Sequence, residues 1–409
     1  MKRIIITSII LLSLGCAFKA SAQTEQDNKY RRSSLYSVLI NHTEQKFSDD
    51  IRKAFLQMPI PDKYNDHDLS VKVLEMDKTL RGAKSENENM VISKFLNDNK
   101  VASRLVGKWF NRDIYTGTCD MDLVKERGLY NASEYDRILA EKSARSNALL
   151  MDAGEDLIGN TFVLVNDIRY IDKEKRGVIA GQGLRAVGSL LNAFTGISLL
   201  EDVADMVSGM VETLKGFKVK INTFLYQLEW DEATATTFYK DQYAARPDSV
   251  KKKNFEAGRG GYKLKYVGKV ESSGSTTSFM GVKLDKPEAM VRKACQRAID
   301  ENIASLQSEF EEFRTKSPIV TTEPITAFVG LKEGVSEKSR FEVLEMVENE
   351  DGSREYNRVA IITPMNSMIW DNRYMAAEEG SPKASLGRTT FKKESGGEIM
   401  AGMLIREIK

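Results

Sequence analysis

Residues Thr161-Phe162-Val163-Leu164-Val165 form a continuous apolar, β-branched run. A strand of that texture cannot leave either face in water, so it belongs inside a sheet covered on both sides. The covering material is legible nearby. Asp285 and Pro287 open the longest predicted helix, with the stripe Val291, Cys295, Ala298, Ile299, Ile303, Leu306, Phe310 and Phe313 at helical spacing. The helix stops before Pro318. Shorter helices are predicted from Phe47, Ile51, Ala54 and Phe55, ended by Met58-Pro59-Ile60-Pro61, and from Ser85, which with Glu88 makes a capping box ahead of Val91, Phe95 and Leu96. Ala102, Leu105, Val106, Trp109 and Phe110 continue the helical spacing.

Other strands are predicted at Leu35–Ile40, at Leu69, Val71 and Val73, and at Leu123-Val124. Phe217, Val219 and Ile221 alternate with polar residues, and then Phe224, Tyr226, Leu228 and Trp230 take the even positions. A bulge near Asn222 would explain that change of phase. Tyr262–Val270 alternates again. From Ile325 the texture becomes short strands and turns, with Phe341–Val347 and Glu355–Ile362 joined by the hairpin signal Glu350-Asp351-Gly352, and a last strand at Met400–Ile408. The expected architecture is a mixed α/β domain over 34–318 and a small β-barrel or sandwich over 319–409.

The first residues read as an export signal. Lys2 and Arg3 precede an almost unbroken apolar run from Ile4 to Leu14, and Ala20-Ser21-Ala22 places small residues at the two positions a signal peptidase reads. Residues 1–22 are expected to be removed, leaving Gln23 at the mature start and a polar, disordered segment over 23–33. Leu14-Gly15-Cys16 offers a rival, a lipoprotein site acylated on Cys16, but Leu12 sits one place too far upstream for a good match. Cys119 and Cys295 either pair in an oxidising compartment or stay as two buried thiols.

Charge removes one class of partner. Three of the 60 basic residues and none of the 59 acidic ones lie in 1–22, so the remainder carries a net charge of −2. No Lys/Arg run with interleaved aromatics appears, which argues against nucleic acid.

The segments MDLVKERGLYNASEYDRILAEK (121–142) and DAGEDLIGNTFVLVNDI (152–168) resemble a stretch of the CsgG-like family, which comprises the curli-secretion channel protein and its periplasmic relatives. In that family a strand ending in Arg precedes a helix, followed by a small-residue stretch and a long strand. Arg127, Ile138, Glu141, Gly154 and the strand from Thr161 match those places. The opening of the C-terminal part, GLKEGVSEKSRFEVLE (330–345), resembles that of the flagellar T-ring protein, a relative of the same fold. The resemblance implies a non-enzymatic envelope protein, periplasmic or outer-membrane-associated, that assembles with itself or with other envelope proteins. Fold-level likeness does not by itself carry function.

Between Arg176 and Gly216 lies a glycine-rich insertion. Ala186–Leu200 is 15 residues without a charge, short of the ~20 that a spanning helix needs. Leu199, Val203, Val207, Met210 and Leu214 then share one helical face, opposite Glu201, Asp202, Asp205 and Glu212. Two readings stand: a helical hairpin packed on the sheet, or a membrane-contacting or self-associating element with glycines permitting close helix approach. Channels of the family use β-hairpin insertions with period two; helical periodicity argues against a β-barrel pore.

Catalytic chemistry is not legible. His42 and His67 are the two histidines, and the setting Asn65-Asp66-His67-Asp68 reads as a polar turn rather than a metal site. Gly258-Arg259-Gly260-Gly261 lacks the Lys-Ser/Thr of a phosphate loop. Glu311-Glu312 and Glu378-Glu379 read as exposed charge clusters, and Asp248-Ser249-Val250 matches a three-residue O-glycosylation pattern of some bacterial secretion systems. No enzyme activity, cofactor or metal is therefore expected. A glycan- or peptide-binding module using Trp370 and Tyr374 is the alternative.

Overall fold

The computed structural model describes residues 32–75, 85–131, 144–171, 218–275, 287–348 and 354–408. Strand β1 (Ser33–Asn41) is apolar enough to be buried from Ser34 to Tyr36 and from Val38 to Ile40. Two short strands, β2 (Tyr64–Asp66) and β3 (Val73–Glu75), pair in parallel with its first and second halves on one side. On its other side runs β4 (Thr161–Tyr170), also parallel, with Ser34–Ile40 opposite Thr161–Asp167. Strands β5 (Lys218–Leu228) and β6 (Leu264–Ser275) follow, each antiparallel to its predecessor, giving the order β2-β1-β4-β5-β6 with β3 beside β1. The run from Thr161 to Ile168 is buried throughout, as its composition requires.

Eight helices accompany the sheet among the described residues: α1 (Ser48–Leu56), α2 (Ser85–Asp98), α3 (Val101–Trp109), α4 (Asp122–Gly128), α5 (Ala144–Glu155), α6 (Glu232–Asp241), α7 (Ser249–Glu256) and α8 (Pro287–Glu309). They divide between the two faces of the sheet. Ile51 and Phe55 of α1 and Val291, Cys295, Ala298, Ile303 and Leu306 of α8 pack on Leu35, Phe162, Leu164, Ile221 and Leu225. Ile92 and Leu96 of α2, Leu105, Val106 and Trp109 of α3, Phe238 of α6 and Phe255 of α7 pack on Tyr36, Val38, Val163, Val165, Phe224 and Tyr226. Two separate cores thus sandwich one sheet. Each fully buried large side chain stabilises by about 1.5–3 kcal/mol before entropy is counted.

The change of phase in β5 has a different cause from a bulge. The β4–β5 register runs without a shift from Phe162↔Gln227 to Tyr170↔Val219. Val219, Ile221 and Leu225 stay on the α8 face, while Phe224, Tyr226 and Leu228 occupy the opposite face. Among the described residues, helices cover that opposite face over the second half of the strand, where the even positions change from Lys218, Lys220 and Asn222 to aromatics. The irregularity lies instead between β5 and β6, after Leu225.

Leu123-Val124 is helical, within α4. Two apolar residues carry no period of their own, and Asp122 near the start with Lys125 and Arg127 near the end suits a helix dipole. Only Val73–Glu75 of the expected strand around Leu69 and Val71 pairs with β1. Ser70 takes φ 65° there, its N–H donating to Asp68 Oδ1 at 2.9 Å, and that turn breaks the run.

The C-terminal part is a closed antiparallel barrel of β7 (Ser317–Thr322), β8 (Ile325–Ala327), β9 (Arg340–Glu348), β10 (Arg354–Pro364), β11 (Thr389–Gly396) and β12 (Leu404–Ile408), in the order β10-β11-β8-β7-β12-β9. Closure leaves no open edge. Its interior is a third core of Ile319, Ala327, Phe341, Val343, Ile362, Phe391 and Ile405. The last strand starts at Leu404 rather than Met400, because Gly402 turns the chain at φ 91° and donates its N–H to Ile319 O.

Candidate functional site

Three places concentrate polar groups. The first is the end of the sheet where parallel strands β1 and β4 finish, the position at which open α/β sheets hold ligands. His42, just past β1, lies 2.5 Å through Nε2 from Asp167 Oδ1. Arg169 approaches the same carboxylate with Nε and Nη2, at 2.9 and 2.8 Å from Oδ2. Burial alone would push the Asp167 carboxyl up, but the bonds from His42 and Arg169 outweigh it and hold the group below the usual range. With both oxygens occupied, Asp167 positions His42 and leaves its Nδ1 as the remaining ring nitrogen. Gln45 closes the corner, donating to Ile168 O at 3.0 Å and accepting from Tyr170 N at 2.9 Å. No nucleophilic side chain contacts His42 among the described residues, so the pair is a fixed polar corner.

The second place is internal. His67 is fully buried, not on a polar turn. Its Nε2 lies 3.0 Å from Leu105 O, and Arg127 Nη1 lies 2.7 Å from its Nδ1. A backbone carbonyl only accepts and a guanidinium only donates, so the ring is the neutral tautomer protonated on Nε2. Burial first, and the Arg127 charge second, hold the imidazole well below its ordinary value. Arg127 also bonds Ser34 Oγ at 2.9 Å and lies over the Trp109 ring at 4.3 Å. These contacts knit β1, the β2 end, α3 and α4 together and leave no nitrogen for a metal.

The third place is a cleft of about 580 Å³ between the last residues of β6, the outer side of α8 and the Leu331–Gly334 turn of the barrel. Charged groups join the two units around it. Glu379 pairs with Lys293 and Arg297 of α8, Lys332 Nζ lies 3.7 Å from Asp300 Oδ1, and Lys63 Nζ lies 3.6 Å from Glu333 Oε1. Phe313 anchors the connection, stacked on Tyr64 at 5.2 Å.

The other predicted residues find structural roles or lie elsewhere. Cys119 and Cys295 are free and buried in cores on opposite faces of the sheet, which settles them as unpaired thiols. Burial pushes the Cys295 thiol up to about 12. Trp370, in the connection between β10 and β11, is half-buried and donates through Nε1 to Ala384 O at 3.1 Å; Tyr374 is half-buried as well. Glu311 and Glu312 are exposed and pair with Arg406 and Lys265. Asp248 caps α7 by accepting from Val250 N and Lys251 N. Among the described residues no cluster of His, Cys, Asp or Glu could hold a metal ion, and no helix is long and apolar enough to cross a membrane. Leu199, Val203, Val207, Met210 and Leu214 lie outside the described residues, as do Ile138, Glu141 and residues 1–31.

Sequence reasoning missed Asp167 and Arg169, 125 and more residues from His42, because no local pattern links them. The alternation of apolar and charged residues at the end of β4 was the available signal. No protein-family model matches the chain, and curated proteins give no match either.

Proposed function

We propose that this chain is an exported, non-enzymatic envelope protein, periplasmic or outer-membrane-associated, that acts in assembly or scaffolding with itself or with other envelope proteins. The observation that carries this reading is the root of the insertion. The β4–β5 ladder continues in register to Tyr170↔Val219, and Ile171 N then donates to Lys218 O at 2.8 Å. Adjacent antiparallel strands need only a turn of about 2–5 residues, and a connection far longer than that is uncommon in a compact domain, where it serves either a function or as a linker. Ile171 and Lys218 are thus held side by side, and the sequence between them spaces Leu199, Val203, Val207, Met210 and Leu214 on one helical face. An apolar stripe of that spacing suits contact with a membrane or a second subunit. The CsgG-like resemblance belongs to the same proposal, which a mixed sheet, a long helix after an antiparallel strand and a C-terminal β unit support.

Contact of this kind grows with apolar area, at roughly 25 cal/mol per Å². Replacing Val207 and Met210 together by Asp is expected to abolish self-association or liposome binding, read by sedimentation, while the unfolding temperature stays unchanged. A large fall in unfolding temperature with association intact would place the stripe in a core and reject the proposal.

A further inference from the structure

Asp248 is the only aspartate in the chain followed directly by Ser or Thr, and Val250 completes an Asp-Ser-apolar triplet. Helix capping accounts for part of it. Asp248 Oδ1 accepts from Val250 N at 2.9 Å and from Lys251 N at 3.0 Å, which starts α7. Capping does not account for the other two residues. Ser249 is exposed, and its hydroxyl makes no hydrogen bond among the described residues. Val250 is 66% exposed, so its apolar side chain adds little to any core.

The triplet is displayed on a fixed base. Ala245 to Val250 are exposed without a break, and Asp248 is extended at φ −137° and ψ 111°. Beneath them the chain is tied down. Cys119 N donates to Ala244 O at 2.8 Å, Lys251 Nζ to Tyr243 O at 2.7 Å and Asn254 Nδ2 to Asp241 O at 3.0 Å, while Phe255 is buried. A surface strap held in this way is open to a modifying enzyme in the folded chain and needs little further ordering when it is bound. The strap also lies away from the root of the insertion. Helices α6 and α7 follow Leu228, the end of β5 opposite to the Tyr170↔Val219 pair, and Phe255 lies 5.9 Å from Tyr262, just before β6 starts.

An unbonded surface hydroxyl between a carboxylate and an exposed apolar side chain is an acceptor for group transfer with a handle on each side. We infer that Ser249 is O-glycosylated after export. In the transfer, Ser249 Oγ attacks C1 of a sugar carried on a diphosphate donor. The C1–Oγ bond forms as the C1–O bond to the diphosphate breaks. The diphosphate leaves with that electron pair, and the hydroxyl proton passes to a base of the transferase. Asp248, whose Oδ2 the cap does not use, and Val250 are the groups the transferase reads. The inference rests on the export reading, because the triplet is a pattern of secreted chains.

The test is intact mass and peptide mapping of the full chain purified from its own cells. A sugar increment is expected on the peptide that carries Ser249, and the chain kept in the cytoplasm by removal of residues 1–22 is expected to lack it. Ser249→Ala is expected to remove the increment and Ser249→Thr to keep it. Asp248→Asn is expected to remove it as well. Asn caps a helix as well as Asp does, so the unfolding temperature of that variant is expected to match the parent's, both compared without sugar, and the loss is then not a loss of α7. A bare Ser249 in a chain that begins at Gln23 or Cys16 overturns the inference and leaves the export reading standing. A bare Ser249 in a chain that still begins at Met1 rejects both. Sugar that persists in Asp248→Asn, or that sits on another residue instead, also overturns the inference.

Discussion

Arg127 donates to His67 across 2.7 Å inside the core, with the Trp109 ring beneath the guanidinium and no carboxylate paired to it among the described residues. A positive charge beside an imidazole is an arrangement that acid must disturb. His67 is held well below its ordinary value in the folded chain, while the unfolded chain titrates near 6.5. Below about pH 6.5 the unfolded state therefore takes up a proton that the folded state refuses. Stability is expected to be level above that pH and to fall by roughly 1.4 kcal/mol per pH unit on acidification toward pH 5. His67→Asn is expected to be less stable at neutral pH but to lose this slope. Urea unfolding of both proteins between pH 5 and 8 measures the difference.

Gly128 and Gly154 let α4 and α5 touch backbone to backbone. A Cβ on Gly128 would stand 1.9 Å from Leu150 O, and one on Gly154 would stand 1.9 Å from Val124 O. Neither carbonyl is a flexible group that can step aside. Gly154→Ala is expected to cost about 2 kcal/mol or more despite its better helix propensity, read as a lower urea midpoint at unchanged slope. An unchanged midpoint would mean that the helices separate without cost.

A polar thread fixes α8 on the sheet. Asn302 donates to Thr223 Oγ1 at 2.8 Å and to Ile221 O at 3.2 Å, Thr223 donates to Asn166 Oδ1 at 2.9 Å, and Asn166 donates to Ser37 Oγ at 3.0 Å. All but the half-buried Ser37 are closed to solvent. Replacing Asn302 by Leu strands the acceptors on β5 and is expected to cost about 1–3 kcal/mol. Asn302→Leu with Thr223→Val is expected to cost more than the single change, because Asn166 Oδ1 then loses its donor as well, which thermal unfolding of the single and double variants checks.

The mature protein is expected to begin at Gln23 without lipid, from the small residues Ala20-Ser21-Ala22 after the apolar core. Intact mass of the native protein decides this, because a diacylated Cys16 at the N-terminus would replace that assignment.

The sequence alone determined those features that repeat along the backbone. The Thr161–Val165 run had to be central, the stripe from Val291 to Leu306 had to be a helix with one buried side, and the short strands after Ile325 had to form their own β unit, because burial imposes a period on contiguous residues. The helix ends at Glu309 and leaves Phe310 and Phe313 of the expected stripe outside it. Tertiary structure decided everything that depends on which distant residues meet. His67 sits in a polar run yet is fully buried, because Leu105 and Arg127 arrive from elsewhere to satisfy both ring nitrogens. The phase change in β5 looked like a fault in the strand, but its register on β4 is unbroken and, among the described residues, helices cover one of its faces over the second half. Whether the C-terminal strands close as a barrel or pack as a sandwich rests on the β9–β10 and β9–β12 pairings, and Asp300 faces a cleft that exists only once the barrel docks on α8. Local pattern reports whether a residue is buried; the partner that makes its burial tolerable is set by the fold.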